Sequence, residues 1–398
     1  MVDNYLIPII PFYEQAISYG KGSYIFDSDG KKYLDLNSGQ FCTILGHANP
    51  ELVEKVTEIS RNIVHTSSGM ISEAVIRTAQ KLNKISGRLN ASSILLSTGA
   101  EAVEFAIRYA KHITGKEGVV CFEKGYHGLT LGTQSITFGG RYACPAVNCV
   151  FSVPIPNEED KDNCIEKFER TVKENKSILA AAIMEPIVSV GGMLYPPAEY
   201  FAAVKDICEE NNVLLIFDES QTGFGRTGSW FCFQELNVIP DMVVCSKGIG
   251  MGYPVSAVMF NGRLGEQELK MTHYSSHQND PFAAGIVEFG INYIEENNLL
   301  ESNKEKGMVF LEKLNSLCNR CECYRNARGH GMMLGLDLYI PGINDYRPIY
   351  HNMYIQAAHM GLLLQATDGE RVLRFLPDYL LTYDNMDLCI EVLERVKI

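Results

Sequence analysis

Leu214-Leu-Ile-Phe-Asp-Glu-Ser-Gln-Thr-Gly-Phe-Gly-Arg-Thr-Gly228 sets a carboxylate, Asp218, directly after four large apolar residues. A run so short and so apolar, closed by a glycine-rich turn, fits a strand buried on both faces. The pattern recurs in Asp241-Met-Val-Val-Cys-Ser-Lys-Gly248, where the run Met242–Cys245 leads to Lys247 and glycines follow. A buried carboxylate is costly without a cation to pair with. A desolvated lysine loses affinity for its proton and becomes a nucleophile.

Outward from these two segments the texture is regular. From about 50 to 285, short apolar runs alternate with amphipathic stretches. The strand candidates are Ser93–Leu96, Gly118–Phe122, Ala180–Met184, Leu214–Phe217, Met242–Cys245 and Val255–Phe260; helix candidates include Pro50–Thr66, Ala100–Thr114 and Tyr200–Asn211. This alternation predicts an α/β fold whose mostly parallel sheet is covered by helices on both faces. Residues 21–36 read as a β-hairpin turning at Asp29-Gly30. After 285 helices dominate, then a β-rich patch near Gly331–Tyr339 and Leu362–Phe375. The expected division is an N-terminal segment 1–49, a large domain 50–285 and a smaller C-terminal α+β domain 286–398, with the N-terminal segment joining the smaller domain.

The 398 residues are 46% hydrophobic and 21% charged, enough to fill a sizeable core. A net charge of −13 argues against nucleic acid as a partner. No apolar run approaches the roughly 18 residues of a membrane span, and Met1–Pro8 lacks the basic start and apolar core of a signal peptide. The 12 cysteines are scattered and read as packed, reduced thiols of a cytoplasmic protein. Cys318-Asn-Arg-Cys321-Glu-Cys323 has no second Cys-x-x-Cys pair nearby and reads as a loop rather than a metal cluster.

In open α/β sheets, ligands sit outside the carboxyl ends of the strands, where Asp218 and Lys247 both fall. Ser93-Ile-Leu-Leu-Ser-Thr-Gly99-Ala reads as strand, glycine turn and helix start, a place where free N–H groups suit a phosphate. Gly125-Tyr126-His127-Gly128 offers an aromatic ring that could stack on a planar group; on spacing alone a core tyrosine in a surface loop is the simpler reading. A lysine for a Schiff base and an acid for a pyridine nitrogen are what a pyridoxal phosphate enzyme needs.

Together these segments resemble the class III pyridoxal phosphate aminotransferases of fold type I. The resemblance runs from Gly22-Ser-Tyr-Ile-Phe-Asp-Ser-Asp-Gly30 and Leu45-Gly-His-Ala-Asn-Pro50 through Thr98-Gly-Ala-Glu-Ala102, Tyr126-His-Gly, Glu185-Pro, the Asp218–Gly228 block and Ser246-Lys-Gly, to Leu373-Arg-Phe-Leu-Pro377. It implies a large domain with a mostly parallel seven-stranded sheet and pyridoxal 5′-phosphate as cofactor. Lys247 would carry the Schiff base and move the proton, and Asp218 would pair with the pyridine nitrogen. Gln221 would bond the phenolic oxygen, and Tyr126 would stack on the ring with His127 beside it. Gly99 and Ala100 would hold the phosphate, and Glu185 would belong to the polar network behind the ring. Arg374 would grip a substrate carboxylate bidentately. Family members are homodimers with shared active sites, and Ser276 takes the place of the hydroxyl residue that completes the neighbour's phosphate cup.

Some residues depart from the common pattern. Ala100 stands where Ser or Thr is usual, and Ser276-His-Gln-Asn-Asp-Pro281 replaces a Thr-Phe-x-x-Asn-Pro segment. With Ser38-Gly-Gln40 and Glu185-Pro-Ile-Val-Ser-Val-Gly-Gly192, that variant looks most like the dialkylglycine decarboxylase branch, in which Gln40 would lie beside the carboxylate that is lost. That branch carries tryptophan where this chain has Tyr126. The expected activity is ping-pong transfer of an amino group from an amino acid or amine to a 2-oxo acid. Decarboxylation-dependent transamination, racemisation and phospho-lyase chemistry are alternatives on the same cofactor. A non-catalytic homologue would have lost Lys247 or Asp218, and both are present.

Overall fold

The computed structural model describes residues 16–140, 149–265, 271–367 and 371–397, together with residues 7 and 369. The reading of Met1–Pro8, Ile7 apart, and most of the first part of the expected N-terminal segment fall outside the described residues.

The central sheet has seven strands in the order Ser92–Leu96, Ser256–Phe260, Met242–Cys245, Leu214–Asp218, Leu179–Met184, Gly118–Phe122 and Val150–Val153. Ser256–Phe260 runs antiparallel to both its neighbours, and the other pairings are parallel. Residues along each strand alternate between two cores, as the two-residue period of a strand requires. Val120, Phe122, Ala182, Met184, Leu215, Phe217 and Val243 enter one core, with the helices Glu73–Ser86, Ala198–Glu210 and Pro281–Glu296. Val119, Cys121, Ala181, Ile183, Ile216 and Val244 enter the other, under the helix Gly99–Thr114. This two-sided burial explains why the strands read as continuous apolar runs.

The seventh strand, Val150–Val153, lay outside the sequence expectation because Ser152 interrupts its apolar run and it sits, partly exposed, at the sheet edge. The helix expected over 50–66 begins at Pro50, with Asn49 as cap, and ends at Asn62. The β-branched pair Ile63-Val64 follows, and Ile63 is already extended.

A second core joins distant parts of the chain. Tyr33, Leu34 and Leu36 pack with Phe310, Leu314, Leu336, Phe375 and Leu393. The strands Ile17–Lys21, Tyr24–Asp27 and Lys32–Asp35 form a sheet completed by Leu362–Leu363, which pairs parallel to Lys32–Asp35. Tyr324–His330, Met333–Leu338, Val372–Phe375 and Gln365–Thr367 make an antiparallel sheet beside it. The boundary expected at 285 cuts through the helix Pro281–Glu296, whose buried face from Ala283 to Ile294 belongs to the large-sheet core. We place the division at Asn297–Asn298, between that helix and Leu299–Arg320.

Candidate active site

Six strands of the central sheet run in one direction, and five of them lead into the same cavity. The residues that follow them are Ser97–Gly99, Glu123–His127, Glu185, Ser220–Gln221 and Ser246–Lys247. These segments, with Gln40 and Phe41 from the N-terminal part and Arg374 from the strand Val372–Phe375, line a cavity of about 470 Å³. Gly99, Ala100, Tyr126, His127, Glu185, Asp218, Gln221, Lys247, Arg374 and Gln40, separated along the sequence, all meet there. Ser276 does not: it is exposed and lies outside this chain's own cavity.

Asp218 continues the Ile216 face of its strand, the face covered by Gly99–Thr114. Its Oδ2 lies 2.8 Å from His127 Nδ1, both side chains being almost fully buried. Its Oδ1 accepts the Ser220 N–H at 3.1 Å. Burial alone pushes the carboxyl upward, but the His127 contact, a hydrogen bond from the Ser220 side chain and the charge of Lys247 outweigh it and hold the group below the ordinary carboxylate range. Glu219 points the other way. It accepts the N–H groups of Cys232 and Phe233 at 2.7 and 2.8 Å and so caps the short helix Cys232–Leu236. One strand end therefore supplies an acid to the cavity and an acid to the scaffold.

Lys247 takes a left-handed backbone, φ +50°, at the turn after its strand. Loss of water around Nζ is the largest influence on it and depresses its proton affinity; Asp218 and Glu185 act in the opposite direction. Glu185 accepts the Tyr126 N–H at 2.7 Å. Burial pushes its carboxyl up to about 7, against the charge of His127. Arg374 is 5% exposed. Its guanidinium lies 4.9 Å from the centre of the Phe41 ring and donates from Nη1 to Ser189 Oγ at 3.3 Å. Burial lowers it to about 10, which leaves it a cation at neutral pH.

The chemistry of this donor set can be tested against pyridoxal phosphate. Gln221 Oε1, His127 Nε2 and Arg374 Nε are buried without a hydrogen-bond partner. The first N–H groups of Gly99–Thr114 have no acceptor within the helix. A Cβ on Gly99 would come within 3.0 Å of Ser246 Oγ and 3.5 Å of Ser220 Oγ, so the glycine lets two hydroxyls close on the helix start. An acid, a lysine, an anion cradle and unpartnered polar atoms around one cavity fit this cofactor. Sequence reasoning missed Phe41, Gly128, Leu129, Val190, Ser220 and Ser246 as cavity residues. The two serines flank Asp218 and Lys247 in quoted motifs, and that adjacency was the available signal.

Comparison with known proteins agrees. The model of the family "Aminotransferase class-III" matches residues 11–396. A [LysW]-aminoadipate semialdehyde/glutamate semialdehyde transaminase of Sulfolobus acidocaldarius is 33% identical over 380 residues, covering 96% of this chain and 94% of the relative. An acetylornithine aminotransferase of Methanosarcina acetivorans is 33% identical over 384 residues, covering 96% and 91%. The crystal structure of a transaminase from the marine bacterium Virgibacillus superposes with a TM-score of 0.92 over 99% of this chain and 96% of that one; at 24% identity this likeness concerns the fold. The chain belongs to the class III aminotransferases, enzymes that use pyridoxal 5′-phosphate to pass an amino group from a donor to a keto acid.

Proposed function

We propose that this aminotransferase acts by a ping-pong mechanism on an amino acid whose carboxylate rests on Arg374. The observation that carries the proposal is a buried cation with an unspent N–H, Arg374 Nε, facing the same cavity as Lys247. The relatives named for acetylornithine and for aminoadipate and glutamate semialdehydes suit this reading, since those molecules carry carboxylates.

Bound here, pyridoxal phosphate supplies an aldehyde that condenses with amines and a ring that takes up electrons. The residues do the rest. Gly99 and Ala100 offer N–H groups at a helix start, where the helix dipole favours a phosphate. Asp218, kept anionic by His127 and Ser220, would hold a proton on the pyridine nitrogen. Gln221, whose amide can turn to present its N–H groups, would donate to the phenolic oxygen. Tyr126 would cover one ring face. Lys247 Nζ, desolvated and so readily freed of its proton, takes the proton from the substrate α-carbon and returns it. Glu185 fixes the Tyr126 backbone.

The same reading includes a cytoplasmic homodimer. The apolar side chains of Met70, Ile71, Leu131 and Tyr274 are exposed, and Ser68, just before the first two, contacts the segment carrying Ser276. Ser275 Oγ donates to Glu101 Oε1 at 2.7 Å, fastening that segment to the first turn of the helix at the cavity. A second copy covering this surface would bring Ser276 to the neighbour's phosphate.

A second reading, decarboxylation-dependent transamination, is favoured by Gln40 lining the cavity with Arg374. Here the Cα–carboxylate bond breaks and carbon dioxide leaves in place of the α-proton.

The test is a screen of amino acids and amines with pyruvate or 2-oxoglutarate as acceptor, following keto acid, new amino acid and carbon dioxide together. Wild-type enzyme should convert carboxylate-bearing donors without releasing carbon dioxide, and Lys247→Ala should lose at least about a thousandfold in turnover. Equal rates with simple amines would sink the Arg374 assignment. Stoichiometric carbon dioxide from a 2,2-dialkylglycine would establish the second reading.

A further inference from the structure

Between the strand Lys32–Asp35 and the helix Pro50–Asn62 the backbone takes a course that side chains resist. Ser38, Gly39 and Phe41 have φ of +43°, +69° and +65°. Only glycine adopts that region without a steric cost. The turn is held in place from several sides. Asp35 accepts the Asn37 N–H at 2.9 Å with Oδ1 and the Gly39 N–H at 2.7 Å with Oδ2, and the same Oδ2 lies 2.8 Å from His47 Nε2. Ser38 Oγ donates to the Leu376 carbonyl at 2.8 Å, two residues beyond Arg374. The Phe41 N–H donates to the Asn37 carbonyl at 2.8 Å. Backbone strain persists only where the surroundings over-determine it, and it gathers where a side chain must be aimed.

What this turn aims is the ring of Phe41. The residue is 3% exposed and belongs to a small cluster with Ile187, Met193, Met333 and Val372. The Arg374 guanidinium carbon lies 4.9 Å from the centre of the ring. A buried guanidinium is ordinarily paired with a carboxylate. Among the described residues none forms an ion pair with Arg374; Glu185 favours its charge from beyond ion-pair distance. A carboxylate in contact would occupy the N–H groups and cancel the charge that a substrate needs. The face of an aromatic ring attracts a cation without bringing a formal charge of its own. It steadies the guanidinium and leaves Nε, which is buried without a partner, for an incoming carboxylate.

We propose that Phe41 is a positioning residue for carboxylate recognition: its ring, fixed by the left-handed turn 38–41, holds the Arg374 guanidinium in place of an anionic partner. This role rests on the assignment of Arg374 to the substrate carboxylate. Affinity for a carboxylate then depends on the aromatic face at position 41, and an aliphatic side chain of similar bulk does not replace it.

The experiment titrates cofactor-loaded enzyme with propionate, a bare carboxylate, by calorimetry. Enzyme loaded with pyridoxamine phosphate is then reacted in single turnover with pyruvate and with acetaldehyde, which differ by the carboxylate alone. Phe41→Leu should weaken propionate about tenfold and lower the ratio of pyruvate to acetaldehyde rates by a similar factor. Phe41→Tyr, which keeps the ring, should stay within about twofold of wild type in both. Should Phe41→Leu fail to fold, Phe41→Met, whose unbranched chain adapts to irregular space, makes the same comparison. Equal propionate binding with and without the ring, while Arg374→Gln loses it, would overturn the role of Phe41 and leave that of Arg374 standing. An equal fall for pyruvate and acetaldehyde would mark Phe41 as packing alone and overturn it as well. Propionate binding unchanged in Arg374→Gln would instead overturn the assignment of Arg374, and the role of Phe41 with it.

Discussion

At the Asp218 end of the cavity the chain answers its own charges. Asp218 has His127 and the Ser220 N–H, and Glu185 has the Tyr126 N–H. At the Arg374 end it does not. The guanidinium has one long hydrogen bond to Ser189 and an aromatic ring beside it, and its Nε is buried without a partner. A buried donor left unmatched is unfavourable until something supplies the acceptor. The first end is organised before any ligand arrives; the second is completed by the substrate. Groups that hold a resident cofactor can be fixed permanently, whereas a group that must release a product at each turnover cannot.

That contrast ranks the expected effects of substitution. Asp218→Asn removes the anion from the organised end and should lower kcat by about a hundred- to a thousandfold, with little change in KM, in steady-state assays. Arg374→Gln acts at the open end. It should lower kcat/KM by about ten- to a hundredfold, chiefly through KM, for carboxylate-bearing donors. If both substitutions gave the same split between kcat and KM, the distinction between the two ends would fail. Glu185→Gln should act mainly on stability. Its carboxyl is raised from 4.5 to about 7, so the folded chain holds that proton more tightly than the unfolded chain. The resulting contribution is full below about 4.5 and is lost as pH rises through about 7. Thermal melts of wild type between those values should therefore fall more steeply with pH than those of Glu185→Gln. A slope remains in the variant because burial likewise raises Glu219 to about 7.

Much of this was legible in the sequence for a physical reason. Strands buried on two faces leave long apolar runs, and Asp218 and Lys247 stand out at their ends. The helix start at Gly99 was legible through its glycine and the alanines after it. Contacts between remote segments were not. His127 and Asp218 are 91 positions apart, and nothing local to either announces the pairing. The Arg374–Phe41 contact depends on how the smaller sheet seats against the larger, which no periodicity encodes. The edge strand Val150–Val153, interrupted by Ser152 and only partly buried, did not stand apart from loop. The boundary expected at 285 falls inside Pro281–Glu296, which is helical like the segment after it and packs its buried face on the large-sheet core.

The left-handed backbone at Lys247 sets function against durability at a single position. For a residue with a Cβ, that conformation costs roughly 1–2 kcal/mol, and the same residue carries an amine stripped of water. Glycine there would relieve both burdens, so the cofactor-free Lys247→Gly protein should melt above cofactor-free wild type although it catalyses nothing. A lineage released from selection for catalysis would gain by discarding this lysine early. The strained backbone and the desolvated amine at Lys247 are thus both costs that the fold carries for the chemistry.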